Sequence, residues 1–318
     1  MSGKTVNSAI LLLVIGNALA LVSDVFIKFL QADAPVFQYA FLRCLITLAL
    51  LLPFWRQLDT GNLFGGGRLH FIRGHVHLVG IVCMVYALIA LPLATANAVF
   101  YAAPIMVMLL SVMFFRERLT KLSLAAVISG FAGILVILRP VDFSWAALAA
   151  LGSAAALAIN AVLIRKLPRQ QSTVHKLFLN YLMITPLCLG LMLWEAAPWS
   201  HAVLISAAGS SLFILGYNVC VLLAYKHVDA NQVTSAEYTG LIWAVIIGWV
   251  FFAEAPDIWF LAGSAMIVTP LLLIGLQQHR KRPRPNHHDL ADTRYHGAPA
   301  DTAPADDSPT AQRRPNIG

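Results

Sequence analysis

Charge is what this chain has least of. Only 12% of its 318 residues are Asp, Glu, Lys or Arg, about half of the roughly 25% with which a soluble domain covers itself. That shortage excludes an ordinary water-facing surface, and with 59% hydrophobic residues the chain belongs in a bilayer. Cysteine is scarce too. Cys44, Cys83, Cys188 and Cys220 sit inside apolar runs without metal-ligand spacing or a disulfide framework, so they read as small packing residues. The run Gly65-Gly66-Gly67 lacks the strand and the Lys-Ser/Thr of a phosphate loop and reads as a turn. His70, His75 and His77 form no H-E-x-x-H pattern, and no catalytic triad or ATP-binding motif occurs. No metal, no cofactor and no enzyme chemistry is therefore expected. The net charge of +7 is spread over turns rather than gathered in one patch, which argues against a nucleic-acid partner. No small-residue cleavage site follows the first apolar run, which is expected to stay as a membrane anchor.

What the chain does have is apolar segments. Ten are long enough to span a bilayer at about 1.5 Å per residue: residues 8–30, 34–54, 73–91, 95–115, 121–138, 144–164, 176–194, 202–225, 231–252 and 257–277. Short connections make neighbours antiparallel. With the amino terminus inside, 19 of the 22 Lys and Arg fall on the cytoplasmic side, Arg139 falls outside, and Lys28 and Arg43 lie within spans. Nine or eleven spans would scramble that partition. The expectation is an all-α, multi-pass protein of the bacterial inner (plasma) membrane, with ten transmembrane helices and both termini cytoplasmic. Residues 278–318, rich in Pro, Ala and Asp and without apolar period, are expected to form a disordered cytoplasmic tail.

The apolar segments repeat. The stretch Leu91–Pro140 slides without gaps onto the one beginning at Val228, at an offset of 137. Glu117 then meets Glu254, Tyr101 meets Tyr238, Ile105 meets Ile242, and the pair Phe114-Phe115 meets Phe251-Phe252. The stretch from Gly16 echoes the one from Gly152 at offset 136. Residues 1–140 and 141–277 thus read as two five-helix units. Five is odd, so the second unit enters the membrane in the opposite sense. Inverted repeats of this kind are the architecture of secondary transporters.

Four ionisable residues lie within spans: Asp24, Lys28, Arg43 and Glu237. Each costs about 2.5–3.5 kcal/mol at bilayer centre unless paired or hydrated. Lys28 is near a span end and can snorkel. Asp24 and Arg43 lie at similar depth and could pair, either as a structural bridge or as part of a site. Across the repeat Asp24 meets Asn160, Arg43 meets Asn180, and Glu237 meets Phe100. Charge kept on one member of each pair is what one asymmetric site shared by both halves would show. The candidate substrate or coupling residues are Asp24, Arg43 and Glu237, with Tyr101, Tyr238, Trp243, Asn160 and Asn180 as cavity-lining or packing groups. Asn17, Asn97 and Asn218 could bond a solute or a neighbouring helix. The four span charges sum to zero, which suits a zwitterionic small-molecule substrate, with Glu237 or Asp24 titrating if protons are coupled. Glu117 and Glu254 sit at turns, where a capping role is expected.

The chain resembles the EamA family of the drug/metabolite transporter superfamily over nearly all of residues 8–277. The likeness is carried by R-G-H-V-H-L-V-G from Arg73, Y-A-L-I-A-L-P-L-A-T-A-N-A from Tyr86 and A-P-I from Ala103. It continues through F-F-R-E-R-L from Phe114, G-F-A-G-I-L-V-I-L-R-P ending at Pro140, A-E-Y-T-G-L-I-W-A from Ala236 and F-F-A-E-A-P-D from Phe251. S-D-V-F-I-K from Ser23 and F-L-R from Phe41 look like the front-end motifs of the branch with S-adenosylmethionine-type carriers. The resemblance implies a ten-helix inner-membrane carrier with paired five-helix repeats, a central cavity and room for a homodimer. It implies export of amino acids or metallophores, or import of cofactor-like molecules such as S-adenosylmethionine or riboflavin. The Pro-rich tail departs from the family's pattern.

Overall fold

The helices of this chain begin where free backbone N–H groups find an oxygen. A computed structural model describes residues 5–30, 32–116, 120–138, 144–168, 170–226, 236 and 239–280, with backbone alone at 271 and 275–280. Helix α1 (Val6–Lys28) starts with a capping box between Thr5 and Ser8. Helices α7 (Trp145–Ile164), α8 (Thr173–Glu195) and α9 (His201–Tyr225) are capped by Ser144, Ser172 and Ser200. Helix α6 (Lys121–Leu138) has Thr120 accepting from the Ser123 N–H, and α11 (Ile258–Arg280) has Asp257 accepting from the Phe260 N–H. Gly66, at φ 71°, precedes α3 (Gly67–Ala90), so the glycine run is a turn as expected.

Two helices begin after proline, which brings no capping side chain, and they borrow carboxylates from distant sequence. Helix α2 (Val36–Leu51) follows Pro35, and Glu195 accepts from the Phe37 and Gln38 N–H groups at 3.1 and 2.9 Å. Helix α4 (Leu93–Phe100) follows Pro92, and Glu254 accepts from the Leu93 N–H at 2.6 Å. The turn-fixing role expected of Glu254 is what it has. Glu117 lies outside the described residues. Replacing Glu195 with Ala should remove both acceptors of the α2 start and cost about 1–2 kcal/mol, read as a lower unfolding midpoint in detergent.

Among the described residues, eight helical stretches are long and apolar enough to cross a membrane, including Val36–Gln57, in which short 3₁₀ turns extend α2, and Leu93–Phe115. The latter is broken at Tyr101 into α4 and α5 (Ala102–Phe115). Two further apolar helices, α10 (Thr239–Phe252) and the first part of α11, Ile258–Ile274, are shorter. They occupy the places of the ninth and tenth expected spans, and most of 231–238 lies outside the described residues, as does 281–318. Phe, Leu, Ile and Trp side chains face outward along these helices, as lipid contact requires. Trp145, Trp194, Trp199 and Trp259 gather at helix ends, where indole rings favour the membrane interface. This is an all-helical, multi-pass membrane protein.

The packing is reciprocal. Helix α1 lies on α9 and α3 on α7; α2 meets α8 and α9, while α8 meets α2 and α3. Helix α5 touches α7, α1 touches α10, and α6 pairs with α11. The seams use small residues, as bilayer packing favours. A Cβ on Gly16 of α1 would stand 3.0 Å from the Cys220 Cβ of α9, and one on Gly152 of α7 would stand 3.1 Å from the Cys83 sulfur of α3. All four cysteines are free, and Cys44 faces Cys188 at 3.8 Å between α2 and α8. They are packing residues, as their apolar surroundings suggested.

Candidate binding cavity

A cavity of about 470 Å³ opens between α1, α2, α3, the α4–α5 break, α7, α8 and α9, within the usual range of small-molecule sites. Helical spacing builds its walls. On α1 it is lined by Asn17, Ala20, Leu21 and Asp24, and on α7 by Ser153, Ala156, Leu157 and Asn160. Each α7 residue stands 136 positions after its α1 counterpart. On α3 the lining includes His77, Gly80 and Ile81, and on α9 Ile214, Tyr217 and Asn218, each 137 positions later. The two halves of the sequence thus supply matching stripes to one space.

Asp24 accepts a hydrogen bond from the Asn97 side chain at 3.1 Å, and Asn97 also donates to the Leu93 carbonyl one turn back on α4. Arg43 is 4% exposed and donates from NH1 to the Tyr39 hydroxyl at 2.6 Å, while that hydroxyl contacts Ser210 at 2.8 Å. The Arg43 Nε has no hydrogen-bond partner. Asp24 and Arg43 line the same cavity without touching, so the pair their depth allows is not a direct bridge. Each has another partner: Asn97 for Asp24 and Tyr39 for Arg43.

Tyr101 and Asn160 line the cavity; Asn160 spends its amide on the Ala156 carbonyl and leaves its Oδ1 unpartnered. Asn180 is 4% exposed and Trp243 donates its indole N–H to the Val14 carbonyl; neither is among the lining residues. Glu237 and Tyr238 lie outside the described residues. Asn17 reaches across to donate to the Ala236 carbonyl at 3.0 Å and to the Thr239 hydroxyl at 3.1 Å, tying α1 to the start of α10.

Lys28 leaves the group of cavity charges. Its Nζ lies 2.9 Å from Glu254, donates to the Leu88 and Leu91 carbonyls, and sits 5.3 Å from the Phe252 ring centre. His77 enters it. Grouped with His70 and His75 by sequence, it goes a separate way: His70 contacts Gln171 at 3.0 Å, His75 contacts the Phe71 carbonyl, and His77 lies edge-on to Tyr181 with its Nε2 unpartnered. No metal-binding cluster occurs among the described residues. Tyr181, Tyr217 and Ser153 are further lining groups absent from the sequence-based set. The offset between repeats was the signal that could have found Ser153 from Asn17.

A bilayer-crossing helical protein whose largely apolar cavity holds a few polar and charged groups offers a small solute a place to bind. The chain matches the EamA-like transporter family twice, over residues 7–139 and 144–276. It is similar to the pseudopaline exporter CntI of Pseudomonas aeruginosa (strain UCBPP-PA14), 27% identical across 84% of this chain and 96% of that one. It is similar to the S-adenosylmethionine uptake transporter of Rickettsia felis, 26% identical across 79% and 87%. To the riboflavin transporter of Vibrio cholerae it is 25% identical across 87% and 96%. A solved crystal structure covers 89% of this chain and 99% of its own with a TM-score of 0.53 at 21% identity, a likeness of fold alone. Matched along both halves, this chain belongs to the EamA-like transporter family.

Proposed function

We propose that the protein is a secondary transporter that carries a small polar, zwitterionic metabolite across the bacterial inner membrane by alternating access. The observation that carries this reading is the separation of Asp24 and Arg43 within one cavity. Opposite charges that line a common space without a direct bridge between them are arranged for a ligand bearing both signs. Such a solute, amino-acid-like or of metallophore type, would set its ammonium on Asp24 and a carboxylate on Arg43. Tyr101 and Asn160 are part of the lining, and Glu237, Tyr238, Asn180 and Trp243 are retained from the sequence as further proposed substrate or coupling residues.

The architecture proposed for this task is ten transmembrane helices in two inverted five-helix repeats, residues 1–140 and 141–277, with both termini cytoplasmic. Reciprocal helix pairs, matching wall stripes and the left-handed residues Arg116 and Ala253, 137 positions apart, support it. Rocking one half against the other would then expose the midplane cavity alternately. Export is the favoured direction, supported by the similarity to an exporter over 96% of that protein's length. Uptake of a nucleoside- or vitamin-like molecule is the second reading, supported by the named uptake and riboflavin transporters.

The test compares solutes inside and outside cells with and without the protein, then follows the responding solute into proteoliposomes. Arg43→Gln and Asp24→Asn should each lower its flux by roughly tenfold, the worth of one charge-assisted hydrogen bond. A solute that accumulates in cells lacking the protein supports export, one that is depleted supports uptake, and no change in any solute counts against both. Proton coupling through Asp24 would appear as pH-gradient-driven flux that Asp24→Asn abolishes.

A further inference from the structure

The seam between α3 and α7 has a readable register. A Cβ on Gly152 would stand 3.1 Å from the Cys83 sulfur, and one on Gly80 would stand 2.9 Å from the Ala156 Cβ. Numbers fall along α3 as they rise along α7, so the two helices run antiparallel. One further turn along the same faces, three residues before Gly80 and four after Ala156, stand His77 and Asn160. Both line the cavity.

Each brings a polar atom that the fold leaves unused. The His77 Nε2 and the Asn160 Oδ1 are buried and have no hydrogen-bond partner among the described residues. Both side chains are nonetheless held. Asn160 donates its amide to the Ala156 carbonyl at 3.2 Å, which fixes the way the amide points, and the His77 ring lies edge-on to Tyr181, centres 5.2 Å apart. A polar atom buried without a partner forfeits its hydration, so such atoms call for an outside group to complete them. The charges Asp24 and Arg43 line the cavity from α1 and α2, and these two atoms come from α3 and α7. The Asn160 Oδ1 can only accept, and an imidazole nitrogen donates or accepts according to its tautomer. An amide or a hydroxyl meets both demands. A carboxylate has no proton for Asn160, and a hydrocarbon meets neither.

We propose that His77 and Asn160 form a subsite for a neutral hydrogen-bonding side group, so that the transported zwitterion carries an amide or a hydroxyl beyond its charged head. His77 is then a specificity-determining residue of the cavity. This rests on the zwitterion reading above and narrows it.

Asparagine, leucine and aspartate are zwitterions of one shape whose side groups are neutral and polar, apolar, and anionic. The full chain is purified in detergent, and its unfolding midpoint is followed against each. Asparagine should reach its half-effect at about tenfold lower concentration than leucine or aspartate, as one or two neutral hydrogen bonds imply. Asn160→Leu, close in shape, should erase that difference and leave the leucine response unchanged. His77→Leu should reduce it severalfold. Without solute, both variants should unfold at the parent's temperature or above it, because each removes a buried atom that has no partner. Should Asn160→Leu fail to fold, the His77→Leu result decides. A lowered midpoint with the asparagine preference intact would assign the pair to packing and overturn the proposal. Equal responses to asparagine and leucine in the parent would leave the two atoms to water, and a preference for aspartate would mark the imidazole as charged; either overturns it too. If the asparagine preference is absent while Asp24→Asn and Arg43→Gln weaken every response, this inference alone fails. If the three compounds leave the midpoint unmoved, or act without regard to Asp24 and Arg43, the zwitterion reading fails with it.

Discussion

Glu254→Gln is expected to open one end of the cavity about a hundredfold more often than the parent does. Glu254 and Lys28 form a bridge of 2.9 Å with side chains 20% and 9% exposed. Around it three segments meet: the end of α1, the α3–α4 turn through the Leu88 and Leu91 carbonyls, and the residues after α10. The Phe29 and Phe252 rings, 5.2 Å apart, cover the junction. One helical turn inward, Asp24 stands four residues before Lys28 and Asn97 four residues after Leu93, and these two bond each other. The bridge thus lies one helical turn from cavity-lining residues and is expected to act as a latch across the proposed repeats. Breaking a buried pair by removing one partner costs about 3–5 kcal/mol because the other charge stays unpaired. The residual exposure of Glu254 argues for the lower figure, and about 3 kcal/mol is a hundredfold in population.

The readout is a cysteine at Met84, a lining residue, in a background without the four native cysteines. A membrane-impermeant maleimide added from the outer side, the side of the bridge in the proposed orientation, should label it about a hundredfold faster in Glu254→Gln and in Lys28→Met. Exchanging the two charges should recover only part of the protection, because a lysine at 254 cannot accept from the Leu93 N–H. Equal labelling rates in parent and variants would show that the bridge is no latch.

Much of this arrangement is written in the sequence, and what is not has a physical reason. Hydropathy reports helix length, so the span 121–138 agrees with α6 and 202–225 falls within one residue of α9. It does not report a break that keeps both pieces apolar, so the division at Tyr101 was invisible. Charge in a span reports a need for a partner but not which partner. Asp24 and Arg43 were found as cavity groups, whereas Lys28 belonged with Glu254, a residue 226 positions away that reads only as a cap. His77 was hidden by its neighbours: three histidines in eight residues suggest a cluster, yet helical geometry points each to a different environment. Asn180 shows the limit of the repeat offset. It is the counterpart of Arg43, but the short asparagine stays in the helix interface while the long arginine borders the cavity.

The second large effect belongs to the scaffold and separates it from the site. Helices α6 and α11 contribute no described residue to the cavity lining and pack on each other. At their crossing a Cβ on Gly133 would fall 2.6 Å from the Gly263 carbonyl oxygen, and a Cβ on Gly263 would fall 2.5 Å from that of Gly133. The Ser129 hydroxyl donates to the Met266 carbonyl at 2.8 Å beside them. In lipid no hydrophobic gain between helices compensates a lost close approach; packing and interhelical hydrogen bonds are the attraction. Gly263→Val places its new atoms against backbone, which cannot rotate away, so the helices must separate and lose the serine contact. Overpacking typically costs 1–3 kcal/mol, and a backbone obstacle argues for about 3 kcal/mol here. Gly190→Ala on α8 is the control, since a Cβ there meets nothing within 4 Å; it should be neutral or stabilise by up to about 1 kcal/mol. Unfolding midpoints in detergent measure both. A Gly263→Val protein as stable as the Gly190→Ala control would refute the close crossing. The folded fraction of Gly263→Val should keep the parent's half-saturating solute concentration, because the residues proposed to meet the solute lie on other helices.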